Sequence, residues 1–582
     1  MAKKTSKKAA AAARRFVPTL RGPARDLPDY VLAQLFGRTS GQKPTRGTKA
    51  GAMAAANLSS TPPVEEKGLP REVRATTESL TIQRPRFHGA KLSLAWFPWR
   101  RLATDCADKF GYLTPKILRK VTSLPFNATT IDLMDRLGAM MGDPGRETSG
   151  DSAIPAGFTY VGQFVDHDIT LDVSSTMENL TNAETIHNMR SPALDLDSVY
   201  GDGPALQPFL YTFPQPGQPP TAIKLQLGSN QNLGPGGSSS DGTPGGMKTL
   251  TDFDLPRIHN PISPSGSTLT AVIGDPRNDE NLIISQFHYA FLRFHNQVVD
   301  ALVAAAFSGD IFVEAKRLVR HHYQWAVVND FLVRICGQTV TAKALASVKA
   351  PIGSPFRMPV EFAVAAYRFG HSMIRDNYWV NFNFPNATLG QVFEFIGKSR
   401  LPVFSNWVVD FNALFDTGIV VPVNNKARKI DSVLANGLES LPGLTGMMQI
   451  LAQRNLRRGL ALGLPSGQGV AKFFGVSALT AAQLKQGLPV NEAAILDEHN
   501  GLLLKRTPLW YYILREAMVL HAGERLGPVG GRIVAETFVR ILKRDATSYL
   551  NLPGGFSPSL PSATAGEFRF ADLVNFSGVT KP

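Results

Sequence analysis

The stretch from Phe158 to Asp168 places an amide, an imidazole and two carboxylates in an otherwise apolar segment. If this stretch is helical, Gln163, Asp166 and His167 occupy positions i, i+3 and i+4 and share one face. Asp168 is then turned by about 100° from His167, so it can serve a different site. Such crowding of polar groups rarely serves packing alone, and it indicates a chemically active segment.

Three further stretches carry reactive side chains. Residues 274–281 read GDPRNDEN, residues 367–371 read YRFGH, and residues 454–459 read RNLRRG. With the first stretch they supply two histidines, an arginine and an asparagine. A single histidine on an apolar face is more often a satisfied core residue than a ligand. The interpretation therefore depends on the order and spacing of all four stretches.

The elements that must position these side chains are helices with long irregular connections. Apolar residues recur at helical spacing over 282–302, before the sequence SGD at 308–310 breaks the pattern. A second long helix is predicted over about 312–336, and another buried helix over 509–520. Six prolines within 203–221 predict an extended loop.

The composition is that of a soluble globular chain whose charge is unevenly distributed. Apolar residues make up 43% of the 582 residues, which allows a sizeable core. Residues 1–50 hold twelve Lys or Arg against two Asp, a net charge of +10 out of +14 for the chain. We therefore expect a basic, largely disordered extension at 1–85 and one folded domain at 86–582, with a Gly/Ser-rich insertion at about 228–246. The extension could contact an anionic surface, although a non-specific solubilising role is favoured.

The sequence also restricts the expected location. It contains no run of about 18 to 20 apolar residues that would predict a membrane span, and no apolar segment typical of a Sec signal follows the N-terminal lysines. Cys106 and Cys336 allow one disulfide at most. We expect a cytoplasmic protein, or one exported without a Sec signal.

Taken together, the four stretches resemble the animal-type haem peroxidases of the peroxidase-cyclooxygenase superfamily, in one of its bacterial branches. The resemblance covers about residues 85–545. Its six ordered motifs are GQFVDHDIT (162–170), SPALDLDSVYG (191–201), GDPRNDEN, YRFGH, RNLRRG and LGPVGGRIVAETF (526–538). It implies a mainly α fold, helical around a central haem with long irregular loops, and it makes 86–582 the catalytic domain. The implied enzyme reduces hydrogen peroxide and oxidises small anions or phenolic donors.

On this resemblance His167 corresponds to the distal histidine and Arg277 to its partner. A neutral imidazole can carry a proton from one peroxide oxygen to the other. Arg277 would stabilise the charge that develops on the departing oxygen. Gln163 resembles the residue that hydrogen-bonds distal water or a halide. The alternative for Arg277 is a surface salt bridge with Asp275 or Asp279.

His371 resembles the proximal iron ligand, and Asn455 resembles the residue that accepts a hydrogen bond from its other ring nitrogen. Arg368 and Arg458 resemble the arginines that bind the haem propionates. Without haem, a helix that carries Arg368, His371 and Arg375 would instead be a solvated polar stripe.

Asp166 and Glu280 match the carboxylates that become esterified to haem methyl groups, so the implied cofactor is an ester-linked haem b. Asn281 stands where the chloride-oxidising branch has a methionine that forms a sulfonium link. Without that electron-withdrawing bond, thiocyanate, iodide and bromide are favoured over chloride. The chain also departs from the family at 460–462, where LAL replaces the usual Arg-Asp-His.

Asp168 and the segment 191–197 resemble the family's calcium site. Ca²⁺ takes about six to eight oxygen ligands, and this segment alternates carboxylates with backbone carbonyls. The implied ligands are Asp168, Ser191, Ala193, Asp195 and Asp197. A rival zinc site at His167 and Asp168 lacks a third and fourth ligand at useful spacing.

Two alternatives remain open. The fatty-acid dioxygenases of the cyclooxygenase-like branch use a radical tyrosine three residues before the proximal histidine, where this chain has Arg368; Tyr367 lies four before His371. A non-enzymatic haem-binding or adhesion protein would be expected to lose Arg277 or His167, and both are present. The peroxidase interpretation is favoured over both.

Overall fold

The structure is a computed structural model, and it describes residues 109–142, 150–172, 179–230, 253–259, 269–394, 402–441 and 449–580. All of these residues belong to one compact unit that begins at Arg71. The basic extension at 1–85 and nearly all of the insertion at 228–246 lie outside the described residues. Both therefore stay predictions.

The fold is mainly α-helical, as the sequence predicts. The α-helices are α1 (Lys116–Thr122), α2 (Ala128–Met141), α3 (Gly157–Ile169), α4 (Asp197–Tyr200), α5 (Leu282–Ala304), α6 (Ile311–Ala326), α7 (Leu332–Cys336), α8 (Gln338–Ser347), α9 (Leu389–Glu394), α10 (Leu451–Ala461), α11 (Gly467–Phe474), α12 (Ala481–Lys485), α13 (Val490–Lys505), α14 (Leu509–His521), α15 (Pro528–Arg544) and α16 (Phe570–Ser577). No helix among them is long and apolar enough to cross a bilayer.

Short strands pair into two-stranded sheets at the edges of the helical core. They are β1 (Phe110–Gly111), β2 (Asp151–Pro155), β3 (Tyr211–Thr212), β4 (Lys224–Leu225), β5 (Arg257–His259), β6 (Leu269–Ala271), β7 (Met358–Pro359), β8 (Asn377–Tyr378), β9 (Ala387–Thr388) and β10 (Lys426–Arg428). β1 pairs with β7 in parallel, and the antiparallel pairs are β2–β10, β3–β4, β5–β6 and β8–β9. β1–β7 and β2–β10 join distant parts of the chain, whereas the other three pairs are local.

Helix α3 is buried on almost every side, which its apolar residues explain. The Phe164 ring stacks on Phe291 of α5 with centroids 4.3 Å apart, and its edge meets Phe287. These contacts hold α3 against α5. They fix the direction in which the polar residues of α3 project.

Helix α5 covers the predicted 282–302 helix and begins at a side-chain cap. Oδ1 of Asn281 accepts a hydrogen bond from the backbone N–H of Ile284, which satisfies one of the free donors of the first turn. The predicted 312–336 helix is continuous but not uniform. A π-helical turn at Val327–Phe331 separates α6 from α7, a local irregularity that apolar periodicity does not reveal.

The segment that carries His371 differs from the predicted helix. Residues Glu361–Ala365 form a π-helical turn and Ala366–Met373 form a 3-10 helix, so Arg375 lies beyond its end. A 3-10 helix has three residues per turn, and Arg368 and His371 therefore share one face. Trp510 of α14 donates a hydrogen bond to the Arg368 carbonyl and anchors this segment.

Cys336 is buried in α7, and burial raises the pKa of its thiol. Its potential partner, Cys106, lies outside the described residues. The expectation of at most one disulfide therefore stays a prediction.

Candidate active site

A cavity with about 960 Å³ of empty volume adjoins α3 and the 3-10 segment 366–373. Helix α3 contributes Gln163 and Asp166 to its wall, and the 3-10 segment contributes Arg368 and His371. Glu280, just before α5, also lines it. Much of the remaining wall is apolar and includes Phe158, Ile374, Leu389, Val392, Leu438 and Leu451. A large apolar cavity with a few convergent polar groups is the usual form of a cofactor site.

A second cavity, with about 570 Å³ of empty volume, shares part of this wall. It is lined by Arg277, Arg458 and Asp172 among others. Asp166 and Arg368 line both cavities, so the two spaces meet at these side chains. Predicted site residues from four separate stretches of sequence thus line two neighbouring cavities.

His167 is fully buried beside these cavities. Its Nδ1 lies 2.7 Å from Oδ1 of Asn278, and its Nε2 lies 3.9 Å from Oε1 of Glu280. Gln163 donates a hydrogen bond from Nε2 to the same Glu280 oxygen. Asn278 was not singled out in the sequence, because nothing local indicates that it reaches His167.

Arg277 forms the ion pair with Asp275 that the sequence analysis named as an alternative, but this pair is not at the surface. The Arg277 side chain is 9% exposed, its Nη2 donates to Asp275 Oδ2 at 2.8 Å, and the same nitrogen donates to the backbone carbonyl of His167 at 2.9 Å. Asp279 is instead bound by Arg257 at 2.8 Å. The pairing therefore holds Arg277 next to α3 instead of excluding it from the site.

His371 is paired with Asn455, with 2.8 Å between Nδ1 of the ring and the amide. The direction differs from the expectation, because the amide nitrogen of Asn455 faces Nδ1 and donates to it. A ligand that binds iron through Nε2 needs a hydrogen on Nδ1 and an acceptor beside it. Exchange of the amide nitrogen and oxygen by a 180° rotation of the Asn455 side chain provides that acceptor.

Arg368, Arg454 and Arg458 form a cluster of positive charge, in which Arg368 lines both cavities and Arg458 lines the second. Arg454 and Arg458 lie one turn apart on α10, and Arg458 also forms an ion pair with Asp172. Burial, and next the nearby charges of Arg368 and Arg458, lower the pKa of Arg454 to about 10. Arg454 was not assigned a role from the sequence, although its i, i+4 spacing to Arg458 was a usable signal.

A separate acidic site lies on the other side of α3. Carboxylate oxygens of Asp168, Asp195 and Asp197 all lie within 4.8 Å of one another. Ser191 Oγ donates to Asp195, with 2.9 Å to Oδ2, and Ala193 lies in the same loop. Burial, followed by the charges of Asp197 and Asp195, raises the pKa of Asp168 well above its usual value. The arrangement fits a divalent cation that prefers oxygen ligands.

The acidic loop is shaped by Leu196, which has a left-handed backbone with φ of 58°. Its N–H donates to Asp168 Oδ2 at 3.2 Å, and the Tyr323 hydroxyl donates to the same oxygen at 3.3 Å. Asp168 therefore faces the loop while His167 faces Asn278. This separation excludes the rival zinc site at His167 and Asp168.

Arg190 connects the acidic loop to Arg277 and was missed in the sequence analysis. Its Nη1 lies 3.0 Å from Asp197 Oδ1, and its Nη2 donates to Asp275 Oδ2, which also accepts from Arg277. Burial alone would raise the pKa of Asp275, but the charges of Arg190 and Arg277 outweigh it and hold that pKa well below the usual range. A continuous chain of charges thus runs from the acidic loop to the cavity.

Tyr367 lines the larger cavity, and its hydroxyl is buried without a hydrogen-bond partner among the described residues. Burial raises the pKa of this phenol well above its usual value. Its ring stacks on Phe362 with centroids 4.7 Å apart. Residues 460–462, where the chain departs from the family, lie at the end of α10: the Ala461 carbonyl accepts from the Thr181 N–H, and Leu462 lines the second cavity.

The sequence matches the model of one protein family, described as animal haem peroxidase, over residues 175–559. This range is about two thirds of the chain. It includes Arg277, His371 and Asn455 but begins after α3. The assignment of α3 therefore depends on its own motif and geometry.

Several known proteins are similar to this chain. A peroxidase-like protein from Margaritifera margaritifera is 29% identical over 37% of this chain and 26% of that protein. Eosinophil peroxidase from Mus musculus is 24% identical over 44% of this chain and 36% of that protein. The chain thus spans about a quarter to a third of the length of these relatives.

Two solved structures show partial similarity in fold. Peroxidase A from Dictyostelium discoideum has 15% identity and a TM-score of 0.47, covering 80% of this chain and 88% of that chain. Fatty acid alpha-dioxygenase from Oryza sativa has 14% identity and a TM-score of 0.49, covering 81% of this chain and 83% of that chain.

Proposed function

Because the chain belongs to the animal haem peroxidase family, we propose that it is a haem-dependent enzyme that reduces hydrogen peroxide. The proposed electron donors are the small anions thiocyanate, iodide and bromide, or phenols that give up one electron. The observation that carries the proposal is the cavity of about 960 Å³, lined by His371 and by Gln163 of the helix that bears His167. The branch within the family stays a prediction.

The cavity suits a haem in its chemistry. Its largely apolar wall suits the faces of a porphyrin, and its few polar groups converge on one space. His371 offers an imidazole ligand for iron. Arg368 and Arg458, which line the cavities, offer positive charge to the two propionates, and an anion beside them relieves the repulsion within the arginine cluster.

Bound haem supplies the redox-active iron, while the chain supplies binding, orientation and proton handling. His167 takes a proton from one peroxide oxygen at Nε2 and returns it to the other. Arg277 stabilises negative charge on the departing oxygen, since Asp275 and the His167 carbonyl hold its guanidinium in place. Gln163 orients water or a halide beside them.

Asp166 and Glu280 are the proposed sites of ester bonds to haem. Both line the larger cavity, which supports this assignment. Ester formation at Glu280 would also remove a negative charge that lies 3.9 Å from the nitrogen of His167 that must accept the proton. The links would therefore attach the cofactor and change the electrostatics of proton transfer.

The donor preference follows from Asn281. Its side chain caps α5 and donates to Gln163 Oε1 at 3.2 Å, and an amide cannot form a sulfonium link. Without that electron-withdrawing link the cofactor is a weaker oxidant, so we infer a preference for thiocyanate, iodide and bromide over chloride.

Ca²⁺ is the proposed occupant of the acidic site, held by Asp168, Ser191, Ala193, Asp195 and Asp197. Crowded carboxylates with a raised Asp168 pKa support a bound cation, and their all-oxygen chemistry favours calcium over zinc. The ion would stabilise α3 through Asp168, which directly follows His167. It would also help to hold Arg277 in place, because Arg190 links Asp197 to Asp275, and Asp275 binds Arg277.

The absorption spectrum of the purified protein before and after hydrogen peroxide tests this function. We expect a Soret band that shifts on addition of peroxide and returns faster with thiocyanate or iodide than with chloride. A haem-containing protein whose band does not respond to peroxide would contradict the proposal. It would leave an inert haem-binding protein as the remaining interpretation.

Tyr367 favours a second candidate function, a fatty-acid dioxygenase. Tyr367 lines the larger cavity and its buried hydroxyl has no hydrogen bond among the described residues, so Tyr367 is the candidate hydrogen-atom donor in such an enzyme. The test is oxygen uptake with a long-chain fatty acid by the wild type and by Tyr367→Phe. Uptake that disappears in the variant favours the dioxygenase, whereas normal peroxide reduction without uptake favours the peroxidase.

A further inference from the structure

His167 is the first of three buried side chains that contact one another in a line. Its Nδ1 lies 2.7 Å from Asn278 Oδ1, and Asn278 Nδ2 lies 2.9 Å from Nδ1 of His288 on α5. None of the three residues has exposed surface. We propose that Asn278 and His288 are positioning residues that fix which ring nitrogen of His167 carries its hydrogen. The inference rests on the proposed role of His167 as proton acceptor.

The amide of Asn278 determines the hydrogen position on His167. Its oxygen can only accept a hydrogen bond, so the neighbouring Nδ1 of His167 must donate. The neutral ring then has its lone pair on Nε2, the nitrogen that points toward Glu280 of the cavity wall. A reversed amide would place an N–H against Nδ1, move the ring hydrogen to Nε2, and prevent that nitrogen from accepting a proton.

His288 binds the amide nitrogen of Asn278. Burial lowers the pKa of His288 to about 3, with the charges of Asp275 and Arg190 acting in opposite directions, so the ring is neutral and carries one hydrogen. Its Nδ1 accepts from Asn278 Nδ2, which puts the hydrogen on Nε2. Reversal of the amide would require the His288 hydrogen to move from Nε2 to Nδ1 at the same time. The tautomers of His288 and His167 are therefore coupled through Asn278.

The backbone around Asn278 is fixed well enough for this task. Asn278 lies in the 3-10 turn Pro276–Asp279, where its N–H donates to the Asp275 carbonyl at 3.0 Å. Asp275 also caps the turn by accepting from the Arg277 N–H at 2.9 Å. The three side chains therefore connect α3, this turn and α5, and each is supplied by a different element.

Three variants of the holoenzyme test the proposal: Asn278→Leu, His288→Phe and the double variant. One readout is the rate of the Soret change with peroxide. The other is the equilibrium affinity for cyanide, which binds ferric haem as an anion and leaves its proton on a nearby base. We expect Asn278→Leu to lower the peroxide rate by about 10- to 100-fold, a part of the 10²–10⁴ that general acid-base catalysis contributes. His288→Phe should lower it by about threefold to tenfold, since Asn278 stays in place but can rotate.

Because both residues act through one path, their effects should not multiply. His288→Phe should change the rate and the cyanide affinity by less than about twofold when Asn278→Leu is already present. The matched control is Asn296→Leu, which removes another buried amide from α5 that bonds Leu225. It should lower the melting temperature without changing either readout.

The outcomes separate this inference from the proposed function. Unchanged rate and cyanide affinity in Asn278→Leu, multiplying effects in the double variant, or equal effects in Asn296→Leu would each overturn the inference and leave the peroxidase intact. If the wild type bound haem but did not respond to peroxide, the proposed peroxidase function would be wrong. Cyanide affinity would still decide the inference, because it reports on His167 without turnover.

Discussion

Replacement of Asp195 by asparagine should have opposite effects on stability in the absence and presence of calcium. Oxygens of Asp168, Asp195 and Asp197 lie within 4.8 Å of one another. At that separation two unit charges repel by about 3 kcal/mol at an effective dielectric constant of about 20. Arg190, 3.0 Å from Asp197, offsets only part of the total charge. Without a cation, each ionised pair in the cluster therefore destabilises the folded state.

In chelator, Asp195→Asn should raise the free energy of unfolding by about 1–2 kcal/mol. This is less than the full repulsion, because Asp168 can take up a proton instead, as its raised pKa indicates. At a thousandfold excess of calcium over its dissociation constant, the wild type should gain about 4 kcal/mol. The variant has lost one charged ligand and should gain much less, so the order of stability reverses.

The assay is urea unfolding followed by circular dichroism, in chelator and in calcium, with metal content verified by elemental analysis. Asp416→Asn is the matched control, since it removes a half-exposed carboxylate that pairs with Lys426 outside the cluster. Its stability should not depend on calcium differently from that of the wild type. A calcium-independent wild type, or an Asp195→Asn variant destabilised equally in both media, would refute the reasoning.

Three other predictions follow from the site and the core. His371→Ala should abolish stable haem binding. His167→Ala should keep haem but react about 10²- to 10⁴-fold more slowly with peroxide. Normal stopped-flow rates in His167→Ala would contradict the role of His167 as proton acceptor. After peroxide treatment, acidified organic solvent should release haem from Asp166→Ala combined with Glu280→Ala but not from the wild type, and complete extraction from the wild type would exclude the ester links. Burial raises the pKa of Glu516 to about 7, so the folded state binds this proton more tightly than the unfolded state. Stability should therefore fall as pH rises from about 4.5 to 7, by about 3 kcal/mol at most. In urea unfolding at pH 5 and 8, Glu516→Gln should show a smaller difference in the free energy of unfolding than the wild type. An unchanged difference would contradict the role of Glu516.

Much of the site could be predicted from local spacing. Gln163, Asp166 and His167 were expected on one face of a helix because the 3.6-residue period is a property of the local backbone. The same period predicted that Asp168 points away from His167 toward a second site, and in the structure Asp168 lies beside Asp195. Residues that act across long separations had no such indication. Asn278 reaches His167, and Arg190 reaches Asp275, only because α3, α5 and the loops between them pack together.

By itself, the sequence determined the helical class, the bounds of α5 to within a few residues, and the polar residues that each element brings to the site. These properties depend on apolar periodicity, which acts over a few positions of the chain. Tertiary structure decided the π-helical turn before α7, the 3-10 segment that presents Arg368 and His371, and the partners of Arg277. Burial makes an unpaired polar group costly, so Arg277 and Arg190 are matched by the carboxylates that packing brings near them. That match is a property of the assembled core, and neighbouring residues in the chain do not encode it.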